Sequence, residues 1–158
     1  MNKYMQIAKE LSESNLETHA GGPFGAVVVK DGEIIGKGSN HVLANNDPTA
    51  HAEVMAIRDA CKNINSYDLS GCELYTSCYP CPMCLSAIIW SNIKKVYYGN
   101  TKIDAANIGF RDDFIYNYID NLSNGNINSE VLDLECIDRE ETIEVFNKFN
   151  DKVDKQIY

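Results

Sequence analysis

Two short stretches of this chain hold the residues that can do chemistry. His51-Ala52-Glu53 offers an imidazole and a carboxylate, and Pro80-Cys81-Pro82-Met83-Cys84 offers two thiolates. One imidazole and two thiolates make three zinc ligands, which leaves a fourth position for water, the pattern of a catalytic rather than a closed structural site. Cys81 and Cys84 stand three apart, so on a helix they share one face of the first turn. The positive end of a helix favours thiolates, the form that binds metal. Pro80 and Pro82 fix the backbone where missing N–H groups do no harm. Glu53, two residues from His51, points elsewhere than the metal and is free to take a proton from a metal-activated water and return it. Cys78 offers a competing arrangement: with His51, Cys81 and Cys84 it would close a four-ligand structural site and leave Glu53 without a role.

The flanking sequence must place these two stretches face to face. Residues 1–15 carry Tyr4, Ile7, Ala8 and Leu11 at helical spacing, and Gly21-Gly22-Pro23 ends that run. Residues 24–30 and 33–39 read as strands joined by Asp31-Gly32, a two-residue hairpin signal. Asp47-Pro48 suits the N-cap and first position of a helix running to residue 62. Residues 72–77 and 95–98 read as strands on either side of a short helix at 81–91. A helical turn is expected at 104–107, residues 114–120 are ambiguous, and 121–128 is loop-like. A last strand at 131–136 and a last helix at 140–152 complete an α/β sandwich around a mixed sheet, in a single domain.

Composition narrows the class. The 158 residues are 44% hydrophobic and 23% charged, ordinary for a globular domain. Residues 1–11 lack the apolar core of a signal peptide, so a cytoplasmic protein with no membrane partner is expected. Six cysteines without a secretory signal point to metal binding or free thiols rather than disulfides. Cys61, Cys72 and Cys136 read as small buried apolar residues. The net charge is −9, with 12 acidic and 4 basic side chains in residues 112–158 alone. So acidic a chain has little with which to neutralise phosphates, which argues against a nucleic-acid partner.

The pattern His-x-Glu…Pro-Cys-x-x-Cys resembles that of the zinc-dependent nucleobase deaminases. The chain is similar to the cytidine deaminase superfamily and, within it, to the bacterial guanine deaminases. The residues that carry the likeness are Gly21 to Val27, Asn46 to Val54, Tyr75 to Cys78, Gly109-Phe110, Asp112, Phe114 to Tyr116 and Tyr158. The resemblance implies a cytidine deaminase-like three-layer α/β/α sandwich around a mixed five-stranded sheet. It also implies one Zn2+ per subunit and hydrolytic deamination of guanine to xanthine and ammonia, in purine catabolism or salvage. By the same resemblance Glu53 and Asp112 are catalytic, Phe24 stacks on a purine base and Asn40 hydrogen-bonds its edge. Ala52 contacts the substrate, and Trp90 forms an apolar pocket wall. Tyr158 reaches a neighbouring subunit's site through a C-terminal segment, about 121–158, exchanged in a domain-swapped homodimer. Tyr79 departs from the family, whose members commonly have Glu there. His19 and His41 match no motif position and read as surface residues. The rival readings are a tRNA adenosine deaminase, a cytosine deaminase and a structural zinc-binding module.

Overall fold

The structure, a computed structural model, describes residues 1–158 and divides into two compact units, Met1–Tyr116 and Asn117–Tyr158. The first unit is built on a four-stranded sheet of β1 (Gly25–Lys30), β2 (Glu33–Ser39), β3 (Glu73–Cys78) and β4 (Lys95–Asn100), in the order β2-β1-β3-β4. β1 pairs antiparallel with β2 and β3, and β3 pairs parallel with β4. The β1–β2 turn is the expected one: Asp31 and Gly32 both have positive φ, 49° and 83°, which matches the twist of the strands they join.

Alternation along β1 and β3 creates the two covered faces. Val27, Val29 and Tyr75 pack against Tyr4, Met5, Ile7 and Leu11 of α1 (Lys3–Thr18). Ala26, Val28 and Leu74 lie on the opposite face with Ala52, Ala56 and Ala60 of α3 (Ala52–Ile64) and Ile88 of α4 (Pro82–Trp90). The three alanines stand at four-residue intervals, one stripe of a helix. Gly36 and Gly38 of β2 face that stripe. A Cβ on Gly38 would collide with the Ala52 carbonyl oxygen and the Ala56 nitrogen, so the helix lies directly on bare backbone. α2 (Val42–Asn45) and α5 (Lys102–Asn107) are short, and α6 (Asp112–Ser123) starts in the first unit. The second unit holds α7 (Arg139–Asn150) and has no buried residue.

Several expectations change. The sheet has four strands, not five: residues 131–136 form no strand, because their segment finds no ladder partner within its own unit. Asp47-Pro48 does not start α3. The Asp47 carboxylate instead accepts from the Thr49 N–H (2.8 Å) and hydroxyl (2.7 Å), closing a turn, and the helix starts after His51. The ambiguous stretch at 114–120 is helical, and α6 takes in the first residues of the expected loop at 121–128. Of the three cysteines expected to be buried apolar residues, only Cys72 is buried; Cys61 is half-buried and Cys136 exposed. His19 is exposed as expected, whereas His41 is half-buried, its Nδ1 3.0 Å from the Ser39 carbonyl oxygen. No helix is long and apolar enough to cross a membrane.

Candidate active site

Two helix starts bring the ligand residues together. His51 is the N-cap of α3 and Cys81 the N-cap of α4, and neither uses its side chain to cap its helix. Cys84 lies in the first turn of α4, as its spacing from Cys81 requires. The ligand atoms of His51, Cys81 and Cys84 all lie within 4.8 Å of one another. His51 Nδ1 is 3.5 Å from Cys81 Sγ and 3.6 Å from Cys84 Sγ. Two sulfurs and one imidazole at two helix N-termini suit a tetrahedral zinc with one position left over. The thiol pair is asymmetric. A hydrogen bond from Cys84, helped by the His51 imidazole, pulls Cys81 down to about 4, and the same bond, with burial, pushes Cys84 up. The hydrogen bond with Cys81 raises the His51 pKa against the opposing effect of its burial.

Glu53 sits one helical step away from the ligand set. It is 6% exposed, and its Oε1 accepts a 3.0 Å hydrogen bond from Thr76 Oγ1 of β3. Burial raises its pKa above the ordinary carboxylate value, opposed by its hydrogen bonds. A carboxylate made more basic and held by one oxygen is equipped to accept and release a proton. Thr76 belongs to the Tyr75–Cys78 stretch named above, but the sequence assigns it no role. Its signal is a hydroxyl on the strand face that otherwise packs against α3.

A cavity of about 390 Å³ opens over these groups. Phe24, Asn40, His51, Glu53, Cys81 and Asp112 all line it, so the structure brings most of the expected residues to one place. Asp112 is the first residue of α6, and burial raises its pKa, as does the Cys81 charge. The rings of Phe24 and Phe110 meet edge to face at 4.8 Å, and both line the cavity. Val42 and Leu43 of α2 form an apolar edge that the sequence did not single out. Cys78 also lines the cavity, but its thiol stands outside the ligand group. Burial, with nearby Asp112 and Glu53, pushes it up to about 11.

Three expected substrate contacts are not on this wall. Trp90 ends α4, far along the helix from Cys81, and is 66% exposed rather than lining the cavity. Ala52 is fully buried in the core between α3 and the sheet. Tyr158 belongs to the second unit and is 80% exposed.

Comparison with known proteins agrees with this geometry. Residues 1–100 match the family model described as the cytidine and deoxycytidylate deaminase zinc-binding region. The chain belongs to this deaminase family. A guanine deaminase from Bacillus subtilis is 55% identical over 117 residues, 74% of this chain and 75% of the relative. The X-ray structure of guanine deaminase from Bacillus subtilis superposes with a TM-score of 0.90 at 44% identity, covering 100% of this chain and 99% of that one. A tRNA-specific adenosine deaminase from Haemophilus influenzae is 36% identical over 156 residues, 98% of this chain and 89% of the relative.

Within this deaminase frame Tyr79 lines the cavity immediately before the Pro80 turn. Its ring meets Tyr98 edge-on at 5.0 Å, and Lys102 Nζ lies 4.6 Å from its centroid. The Tyr116 hydroxyl donates to the Pro80 carbonyl oxygen at 2.7 Å. Aromatic packing therefore braces the cysteine turn on this side, and the cavity edge here carries no carboxylate.

Proposed function

We propose that this chain is a guanine aminohydrolase, converting guanine and water to xanthine and ammonia. The carrying observation is the buried Glu53 beside, but outside, the His51–Cys81–Cys84 ligand set, in a cavity walled by Phe24 and Asn40. A closed structural site gives such a carboxylate no work, and the Cys78 thiol lies outside the ligand cluster, donating to the Thr101 carbonyl oxygen at 3.6 Å. Bound zinc supplies a water acidified to near neutrality. Glu53 takes the proton from that water and passes it to a ring nitrogen of guanine as the oxygen bonds to C2. It then takes the remaining proton of the added hydroxyl and gives it to the departing amine, so the C2–N bond breaks, the C2 carbonyl forms and ammonia leaves. Phe24 packs on the purine face, Asn40 holds its edge, and Asp112 assists from the start of α6.

Guanine is favoured over the other bases by the 55% identity to a guanine deaminase and by the net charge of −9, which disfavours a polyanionic substrate. We further place the protein in the cytoplasm as a homodimer. In it residues 121–158 are exchanged, and Tyr158 acts at a partner's cavity. The 42 residues of the second unit bury no side chain of their own, which supports a partner that covers them.

Ammonia release from guanine, adenine and cytosine, by protein of known zinc content and with or without a chelator, tests the activity. Guanine-selective, zinc-dependent release is expected. The likeness to tRNA-specific adenosine deaminases makes an RNA stem-loop the control substrate. Activity on the stem-loop alone would reverse the choice. The Cys78→Ser protein is expected to keep both zinc and activity; loss of zinc would favour the structural module.

A further inference from the structure

Asn15 is the polar member of the two buried residues of α1. It is 4% exposed and stands behind the cavity, not in its lining. Its Nδ2 donates to the Gly22 carbonyl oxygen at 2.8 Å and to the Asn40 carbonyl oxygen at 2.7 Å. A carboxamide has two N–H donors, and both are spent on these two carbonyls. Thr18 Oγ1 donates to Asn15 Oδ1 at 3.3 Å, which fixes which end of the amide faces the carbonyls. Gly22 precedes β1 and Asn40 follows β2, and both line the cavity. Asn15 thus adds a side-chain tie between two loops just beyond the last backbone hydrogen bond that joins them, from the Asn40 N–H to the Phe24 carbonyl oxygen at 3.0 Å.

Asn40 shows what is being held. Its Oδ1 accepts from the Val42 backbone N–H at 3.1 Å. A backbone N–H can only donate, so the orientation of the Asn40 amide is settled and its NH2 is left for the cavity. Asn40 therefore offers a donor, and the matching edge of a ligand must carry an acceptor, an oxo group or an unprotonated ring nitrogen.

We propose that Asn15 is a positioning residue for this wall. Its carboxamide clamps the Gly22 and Asn40 carbonyls at a fixed spacing, and so aims the Asn40 NH2 at an acceptor on an oxopurine. This rests on the reading of the cavity as a guanine site. The clamp acts on ground-state binding and leaves the ligand set and Glu53 untouched. Its loss therefore raises KM more than it lowers kcat.

The test uses zinc-loaded full-length protein, with guanine affinity by calorimetry alongside kcat and KM for ammonia release. Asn15→Asp keeps the shape but replaces both donors with acceptors facing carbonyls. It should weaken guanine binding and raise KM about tenfold or more, the scale of one buried hydrogen bond, with zinc content unchanged. Should that variant fold poorly, Thr18→Val removes the bond that orients the amide, together with the 3.4 Å bond the Thr18 hydroxyl accepts from the Ala20 N–H, and a smaller shift in the same direction is expected. Wild-type affinity and KM in a folded Asn15→Asp protein, or in Thr18→Val where Asn15→Asp does not fold, would overturn the clamp while leaving the guanine reading intact. A wild-type protein that neither binds nor deaminates guanine would overturn both.

Discussion

Residues 1–116 bury side chains on both faces of a sheet, whereas residues 117–158 bury none. The second unit is not simply polar. It exposes Ile119, Leu132, Leu134, Val145 and Phe146 while the 112–158 region carries 12 of the 23 acidic residues. In the first unit every chemical group is positioned by packing: α3 lies on bare strand backbone, and α3 carries His51 at its start and Glu53 in its first turn. In the second, apolar side chains are present without a core to enclose them. The difference teaches where function can be assigned from one copy of the chain. His51, Cys81, Cys84, Glu53, Phe24 and Asn40 all lie in the first unit, whereas the second unit leaves its apolar side chains exposed.

The sharpest way to break this division is to inactivate each unit in turn. Glu53→Gln should keep zinc and lower turnover about a thousandfold, the scale of a positioned acid–base group. Deletion of Tyr158 should lower kcat/KM about tenfold, one hydrogen bond's worth. Co-expressed, the two defective chains should recover activity per intact site toward the wild-type level, because the Glu53→Gln chain brings an intact tail to its partner. Ammonia release from the purified heterodimer measures it. No recovery, or a monomer in sedimentation, would confine Tyr158 to its own chain and sink the exchange.

A second test attacks packing rather than chemistry. In Gly38→Ala the new Cβ meets backbone atoms of Ala52 and Ala56, which cannot rotate away, and lies within 2.9 Å of Met55 Cβ. α3 must shift, at a cost of about 1–3 kcal/mol for overpacking. Because His51 and Glu53 ride on that helix, zinc affinity and activity should fall with stability. Denaturant unfolding and zinc content read both. A destabilised protein with full activity would mean that the site does not depend on how α3 is seated.

Much of the first unit is legible in the sequence because local rules and tertiary demands agree there. Asp31-Gly32 specifies its turn unaided, and Cys81-x-x-Cys84 needs only a helix start to converge. The failures come where a partner distant in sequence decides. Asp47 and Pro48 fit a helix start by every local criterion, yet the Asp47 carboxylate is taken by Thr49 and the helix begins at His51. Asn15 reads as the tail of an amphipathic helix, and only the fold brings the Gly22 and Asn40 carbonyls to it. Residues 131–136 have the composition of a strand, but a strand exists only where a neighbour supplies its ladder. Trp90 illustrates the same limit: a wall residue by resemblance, it lies outside the cavity of its own chain.

The ligand set also has a pH signature of its own. Zinc binding needs a neutral imidazole and thiolates, so it releases protons and weakens as pH falls. The His51 pKa is raised in the metal-free protein by its bond with Cys81. Its contribution to metal-free stability is therefore full below the unfolded value and is lost as pH rises through the raised one. The depressed Cys81 pKa acts in the opposite sense, its contribution falling as pH falls, so the two oppose each other in the metal-free fold while acidification weakens zinc. The difference in melting temperature between zinc-loaded and chelated protein should narrow steadily from pH 8 toward the ordinary histidine range of about 6.5. A constant difference across that range would remove His51 from the ligand set.

The smallest effect belongs to the second unit. α6 ends in a Schellman arrangement: the Gly125 N–H bonds the Leu122 carbonyl at 3.0 Å and the Asn126 N–H bonds the Asn121 carbonyl at 2.9 Å. Gly125 has φ 79° and nothing within 4 Å of where a Cβ would stand. Gly125→Ala therefore meets no collision of the Gly38→Ala kind and costs only the backbone strain of a left-handed alanine, about 1 kcal/mol. Where that cost registers is the informative part. Trp90, the chain's single tryptophan, lies in the first unit, so its fluorescence reports that unit, whereas circular dichroism reports helices in both. If the second unit is ordered by a partner copy, the substitution should weaken dimerisation and lower the dichroism midpoint at low protein concentration. The tryptophan transition and zinc content should hardly move. A matched fall in both midpoints, independent of concentration, would instead make the two units one cooperative fold within a single chain.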